Sequence, residues 1–116
     1  MAAVKAIALF PHPKDKKVFE EVYAREHVPR IMKNVRGITK LVMSTLFDSP
    51  EKDGPFYRMV ELHFPSMEAM CECLIAEDTR KTVEHAISIS TGGRPVFMIA
   101  EMEEFEFNDE SQAVRV

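Results

Sequence analysis

Three of the four stretches that read as β-strand in this chain fail to alternate cleanly between apolar and polar residues. Residues 3–10, AVKAIALF, set Val4, Ala6, Ala8 and Phe10 against Lys5, Ile7 and Leu9. Residues 38–47, ITKLVMSTLF, set Leu41, Met43 and Phe47 against Ile38, Val42 and Leu46. Residues 96–107, VFMIAEMEEFEF, set Val96, Met98, Ala100 and Met102 against Phe97, Ile99 and Phe105. Successive side chains of a strand point to opposite faces, so a sheet with helices on one side and water on the other should be apolar on one face only. Here both faces are apolar, and helices can cover one. At about 25 cal/mol per Å² of apolar surface, leaving several hundred Å² of the second face wet forgoes roughly 10 kcal/mol. Face-to-face packing of two sheets across a twofold axis removes that penalty. A homodimer is therefore expected.

The order of the elements narrows the fold. The first strand ends at Pro11 and Pro13, and Asp15 can cap the helix that follows over about 15–26. That helix has Val18, Phe19, Val22 and Tyr23 facing inward. Pro29 disfavours helical geometry at Val28, so the helix either breaks at His27–Val28 or restarts as a second short turn, PRIMKN. After strand 38–47, the loop DSPEKDGP leads to FYRMVELHF, 56–64, as a hairpin partner. One face of that strand carries Arg58, Val60, Leu62 and Phe64, and the other carries Tyr57, Met59, Glu61 and His63. Ser66 caps a second helix with a stripe of Met67, Met70, Cys71, Leu74 and Ile75. A break near 76–79 precedes more helix, STGGRP turns, and 96–107 is the last strand. The order β-α-β-β-α-β is that of a ferredoxin-like α+β fold, a four-stranded antiparallel sheet with helices on one face. Residues 1–107 form one domain, and 108–116 are expected to be a disordered tail.

Composition excludes several classes. A formal net charge of −4 over 116 residues, with scattered basic residues, argues against nucleic-acid binding. No apolar run reaches the roughly 18–20 residues that span a bilayer, and the N-terminal run is too short for a signal peptide, so no membrane partner and a cytoplasmic location are expected. Cys71 and Cys73, on different helical faces, read as free thiols. The four histidines form no close sequence pair, so any metal site would be assembled in space.

The densest chemistry lies in residues 19–29, FEEVYAREHVP. Tyr23 and His27, at i and i+4, share one helical face. A phenol and an imidazole aimed into one cavity suit proton transfer near neutral pH, with His27 as base or acid and Tyr23 as a donor. His27 is equally readable as a structural residue that bonds backbone freed before Pro29. Phe19, one turn before Tyr23, and Arg30, a cation beside His27, are candidate substrate-binding residues. Glu61 and His63 alternate onto one strand face and are candidates too, though that face can equally be the dimer interior.

These features together resemble the EthD family of the dimeric α+β-barrel superfamily. The resemblance runs from about residue 4 to 106, through ALFPHP, F-x-x-x-Y-x-x-x-H-V-P, NVRG, PFYRMVELHF, SMEAM and STGG in order. Tyr23, His27 and Pro29 are its most specific part. Arg30 departs from the pattern, where an aliphatic residue is more usual. The family takes its name from a gene cluster for ethyl tert-butyl ether degradation. Relatives on this fold include cofactor-free monooxygenases, polyketide cyclases, muconolactone isomerases and haem-degrading enzymes. The resemblance thus implies a small hydrophobic ligand and either monooxygenase-like or cyclase-like chemistry, or a non-catalytic accessory role. No cofactor is expected; the alternative is haem, with His27 or His63 as axial ligand.

Overall fold

A computed structural model describes residues 3–108 and 113–115. Its elements are β1 (Val4–Pro11), α1 (Lys16–Val22), a π-helical turn (Tyr23–His27), α2 (Val28–Asn34), β2 (Lys40–Thr45), β3 (Phe56–Phe64), α3 (Met67–Ile75), α4 (Glu77–Ile89), β4 (Val96–Glu101), β5 (Phe105–Phe107) and β6 (Ala113–Arg115). The sheet order β2-β3-β1-β4 is antiparallel throughout, which is the ferredoxin-like topology expected from the sequence. No helix of the described residues is long and apolar enough to cross a membrane.

Register decides which residues meet the helices. Phe10, fully buried, packs edge-on against Phe19, Tyr23 and His27 of the first helical segment. Even-numbered β1 residues therefore face the helices. Through the pairs Ala6↔Leu62, Ala8↔Val60, Ala6↔Ile99 and Ala8↔Phe97, so do Val60, Leu62, Phe97 and Ile99. Val4, Phe10, Val60 and Phe64 from the sheet join Phe19, Tyr23, Ile31, Met70 and Ala86 from the helices in one buried core.

Of the two outcomes expected at Pro29 the second holds, with PRIMKN forming the body of α2. The chain neither breaks nor leaves helical geometry: Val28 sits at φ −58°, ψ −46°. Proline lacks the N–H that would bond the carbonyl four residues back, and its ring crowds that carbonyl. One wider turn solves both problems, with the Val28 N–H reaching the Tyr23 carbonyl five residues back. Asp15 caps α1 as expected, accepting from the Val18 N–H. Val18 itself is exposed rather than inward, because only Phe19 and then Tyr23 fall on the face over Phe10.

Three further expectations are corrected. The α3 stripe runs through Met70 and Cys73, while Met67, Cys71 and Ile75 are exposed; the helix sits rotated by about one residue from the apolar face read from the sequence. The last strand is shorter than 96–107. Glu101 pairs with Val4, the Met102 N–H bonds the Ala3 carbonyl, and there β1 supplies no further ladder. Likewise β2 spans less than 38–47, with single backbone bonds at Thr39 and Leu46 closing its ends. Residues 105–107 instead pair with 113–115, and the remainder of the expected tail, 109–112 and 116, lies outside the described residues.

The STGG turn is a structural seam. Gly92 lies so close to the end of β1 that an added Cβ would stand 1.7 Å from the His12 carbonyl oxygen. The Lys14 N–H donates to Thr91 Oγ1 at 2.9 Å across the same seam.

Candidate functional site

The helix layer and the sheet enclose a cavity of about 420 Å³. Its floor is Ala6 and Ala8 of β1, Val60 and Leu62 of β3, and Phe97 and Ile99 of β4. Its roof is Ile31 and Val35 of α2, Leu74 of α3, and Thr79, Thr82, Val83 and Ala86 of α4. The alanines leave this space because larger side chains at those positions would fill it. Phe97 and Ile99 face the helix side yet are 40% and 56% exposed, since no helix reaches over β4. They form the mouth.

Among the described residues, His27 is the one ionisable side chain in this wall. The wall's two hydroxyls are already engaged: Thr82 donates to the Asp78 carbonyl at 2.9 Å, and Thr79 shares a 3.5 Å contact with Cys73 Sγ. His27 is 3% exposed, and burial first, then His85 and Arg30, lowers its pKa to about 4. It is therefore a neutral imidazole at physiological pH, able to accept a proton. Its Nδ1 lies 3.0 Å from Nδ1 of His85, and the two rings stack at 5.2 Å. Beyond His85, Nε2 stands 3.8 Å from Glu26 Oε1. Burial and Arg30 push the His85 pKa down, and Glu26 pulls it up.

The other predicted residues divide. Tyr23 does not line the cavity. It is sandwiched between Phe19 (5.4 Å) and His27 (5.8 Å), with the Arg58 guanidinium 4.7 Å from its ring centroid. Its hydroxyl is buried without a hydrogen-bond partner among the described residues, and burial raises its pKa to about 12. Phe19 belongs to the same stack and is core, because its ring is consumed by Phe10 and Tyr23. Arg30 is exposed, does not line the cavity, and acts on the site through its charge, which lowers the His27 pKa. Glu61 and His63 are not at this cavity. They pair with Ile7 and Lys5, odd-numbered positions of β1, and so lie on the sheet face away from the helices. There Glu61 accepts from Lys5 Nζ at 2.6 Å, and His63 Nε2 is buried 3.7 Å from Glu61 with no hydrogen bond to the described residues. Sequence reasoning missed His85, which is 58 residues from its partner; only its place on an apolar α4 face beside Ala86 hinted at it.

A second polar cluster closes the far end of β3. A shift in register between Phe10 and Pro11 lets Tyr57 reach the helices, where its hydroxyl donates to Glu20 while Arg58 Nη2 donates to the other Glu20 oxygen at 2.8 Å. Burial alone would raise the Glu20 carboxyl, but these two bonds hold it below its ordinary value.

The sheet order, the helix pair over it and the single-histidine apolar cavity define a ferredoxin-like α+β protein with a small-molecule-sized pocket. Its solved likenesses agree. The chain is similar to an EthD-family protein of Bacillus halodurans, with 26% identity, 88% of this chain and 99% of that one covered, and a TM-score of 0.77. It is also similar in fold to the hydroxynitrile lyase of Passiflora edulis (12% identity, 88% and 94% covered, TM-score 0.68). A third likeness is a dimeric ferredoxin-like protein of unknown function from Jannaschia (10% identity, 88% and 99% covered, TM-score 0.60). No protein-family model and no curated protein matches the chain. The chain is thus similar in fold, over 88% of its length, to an EthD-family structure.

Proposed function

We propose that the cavity takes a small, largely apolar, oxygen-bearing molecule, such as an aromatic polyketide or a lactone, and that His27 moves a proton on it. The observation that carries this reading is a neutral, buried imidazole, the one ionisable group among the described residues of a largely apolar wall whose two hydroxyls are engaged elsewhere. Such a wall binds by excluding water, and one basic nitrogen in it meets an acidic C–H or O–H without competition from solvent. Cofactor-free oxygenation begins with the same deprotonation. The reading calls on no cofactor; a Soret band on adding haem to the protein would replace it with the haem alternative.

A direct test needs no knowledge of the natural substrate. Exchange of the α-protons of a hydrophobic ketone, 1-tetralone, is followed by NMR in D₂O with the wild-type protein and with His27→Gln. Wild type is expected to accelerate exchange saturably, and His27→Gln to lose roughly 10²–10⁴-fold of that rate while keeping a native circular-dichroism spectrum. A variant that exchanges as fast as wild type refutes the assignment. The engaged hydroxyls of Thr79 and Thr82 favour one second reading, a protein that holds its ligand without transforming it. In that case the ketone binds both forms equally and exchanges in neither.

The same proposal includes a second copy of the chain on the open sheet face. That face carries Ile7, Leu9, Val42 and Met59 together with exposed Val96 and Met98, and the β5–β6 hairpin adds Phe105, Phe107 and Val114 to the exposed apolar surface. The Jannaschia protein of the same fold is described as dimeric. Light scattering is expected to return twice the chain mass; a folded monomer persisting at nanomolar concentration would overturn this part.

A further inference from the structure

We propose that His85 and Glu26 form a proton relay behind His27, connecting the cavity wall to the protein surface. The relay rests on the reading of His27 as a proton-transferring group and extends it with two positioning residues.

The geometry is constrained by the contact between the two rings. A hydrogen bond between Nδ1 of His27 and Nδ1 of His85 at 3.0 Å needs one nitrogen to donate and the other to accept. Two neutral rings can satisfy it in only two ways. If His85 donated, its Nε2 would present a lone pair to the Glu26 carboxylate 3.8 Å away, which is repulsive. If His27 donates, His85 Nε2 carries a hydrogen toward Glu26, which is attractive. Glu26 therefore selects the second arrangement. In it His27 holds its hydrogen on Nδ1, and Nε2 keeps a lone pair that makes no hydrogen bond to the described residues. The resting tautomer is that of a base.

The steps balance without any further reagent. His27 Nε2 takes a proton from the bound molecule, whose electron pair stays behind on it. The His27 Nδ1–H bond then breaks as an Nδ1–H bond forms on His85. His27 is left neutral with its hydrogen on Nε2, now facing the cavity as an acid, and His85 is an imidazolium beside the Glu26 carboxylate. The positive charge has moved from a ring 3% exposed to one whose side chain is 14% exposed, facing a carboxylate that is 56% exposed. From there the Nε2 proton passes to Glu26 or to water, and the reverse sequence returns it. The charged groups that face the pair are Glu26, which favours the imidazolium, and Arg30, which opposes it on both rings. Burial makes a lasting charge on His27 costly, and that cost drives the handover outward.

The relay makes a claim that a merely structural His85 does not. Once His85 is protonated, both its nitrogens donate, so His27 must switch its hydrogen from Nδ1 to Nε2. The test is ¹⁵N NMR of both rings in the wild-type protein, titrated from pH 8 to 5. The expected result is an Nδ1–H tautomer for His27 at high pH that converts to Nε2–H over the same range in which His85 gains its proton. His85→Gln keeps an acceptor for His27 Nδ1–H but cannot take the proton, so it should hold His27 in the Nδ1–H form throughout. Glu26→Gln should move the conversion to lower pH. A single His27 tautomer across the wild-type titration overturns the relay, as does a conversion that survives in His85→Gln. The ketone assay separates the two claims. Tautomer conversion without exchange leaves the relay standing and removes the catalytic reading of His27; exchange without conversion does the opposite.

Discussion

Acid should destabilise this protein through His27 before its carboxylates are reached. In the unfolded chain the ring has its ordinary pKa of 6.5, and in the folded chain burial, His85 and Arg30 lower it to about 4. The folded-state pKa is the depressed one, so the stabilising contribution is complete above pH 6.5 and is lost as pH falls toward 4. Between pH 7 and pH 5 one such group forfeits about 2 kcal/mol, from the ratio of the proton-binding terms of the two states at each pH. Urea unfolding at pH 7 and pH 5, at one fixed protein concentration, measures this for wild type and His27→Gln. Wild type should lose about 2 kcal/mol more than the variant over that interval. Parallel losses in the two proteins would show that His27 titrates normally in the fold. A buried neutral base would then be the wrong description of the site.

Two further outcomes follow from packing. Gly92→Ala places a methyl group against the His12 carbonyl with backbone on both sides, so strand β1 and the turn must separate. A loss of about 3 kcal/mol or more is expected, read as a fall in melting temperature of at least roughly 10 °C, and an unchanged melting temperature would contradict the close approach. Ala6→Leu extends a side chain from the cavity floor into empty space. It should hold stability constant or raise it by about 0.5–2 kcal/mol while abolishing binding of 1-tetralone, as followed by NMR line broadening. Retained binding would place the ligand elsewhere.

The fold was legible because its signals are local. Short apolar, β-rich runs, the Asp15 and Ser66 caps and the Gly-Gly turn each act within a few residues, and their order left one familiar topology. What was not legible depended on distance or on parity. Glu61 and His63 were read correctly as sharing a face, but with both faces of the sheet apolar nothing in the sequence says which face the helices take. The helix side was settled only by Phe10 docking under Phe19, Tyr23 and His27. Tyr23 reads as a site residue because it shares a helical face with His27, yet the ring of Phe19 stacked on it and its place in the core keep it from the cavity. His85 could not be found by spacing at all, since its relation to His27 exists only after α4 packs beside the first helix. The π-helical turn was hidden for a related reason: a proline in a helical pattern predicts a break, and the wider turn that avoids one leaves no composition signature.

That turn also sets how the chain tolerates changes of length. A π-helical turn is in effect an α-helix carrying one surplus residue. Deleting Ala24 or Arg25, both exposed, would let the segment close as ordinary α-helix, and because the wider turn has already absorbed the surplus residue, α1 and α2 would keep their faces. The same loss inside α1 or α2 would swing everything beyond it by about 100°, the angle of one residue at 3.6 per turn, and would part Phe19 from Phe10 or Ile31 from the cavity. The turn is where this helix can lose a codon without uncoupling its core half from its chemical half.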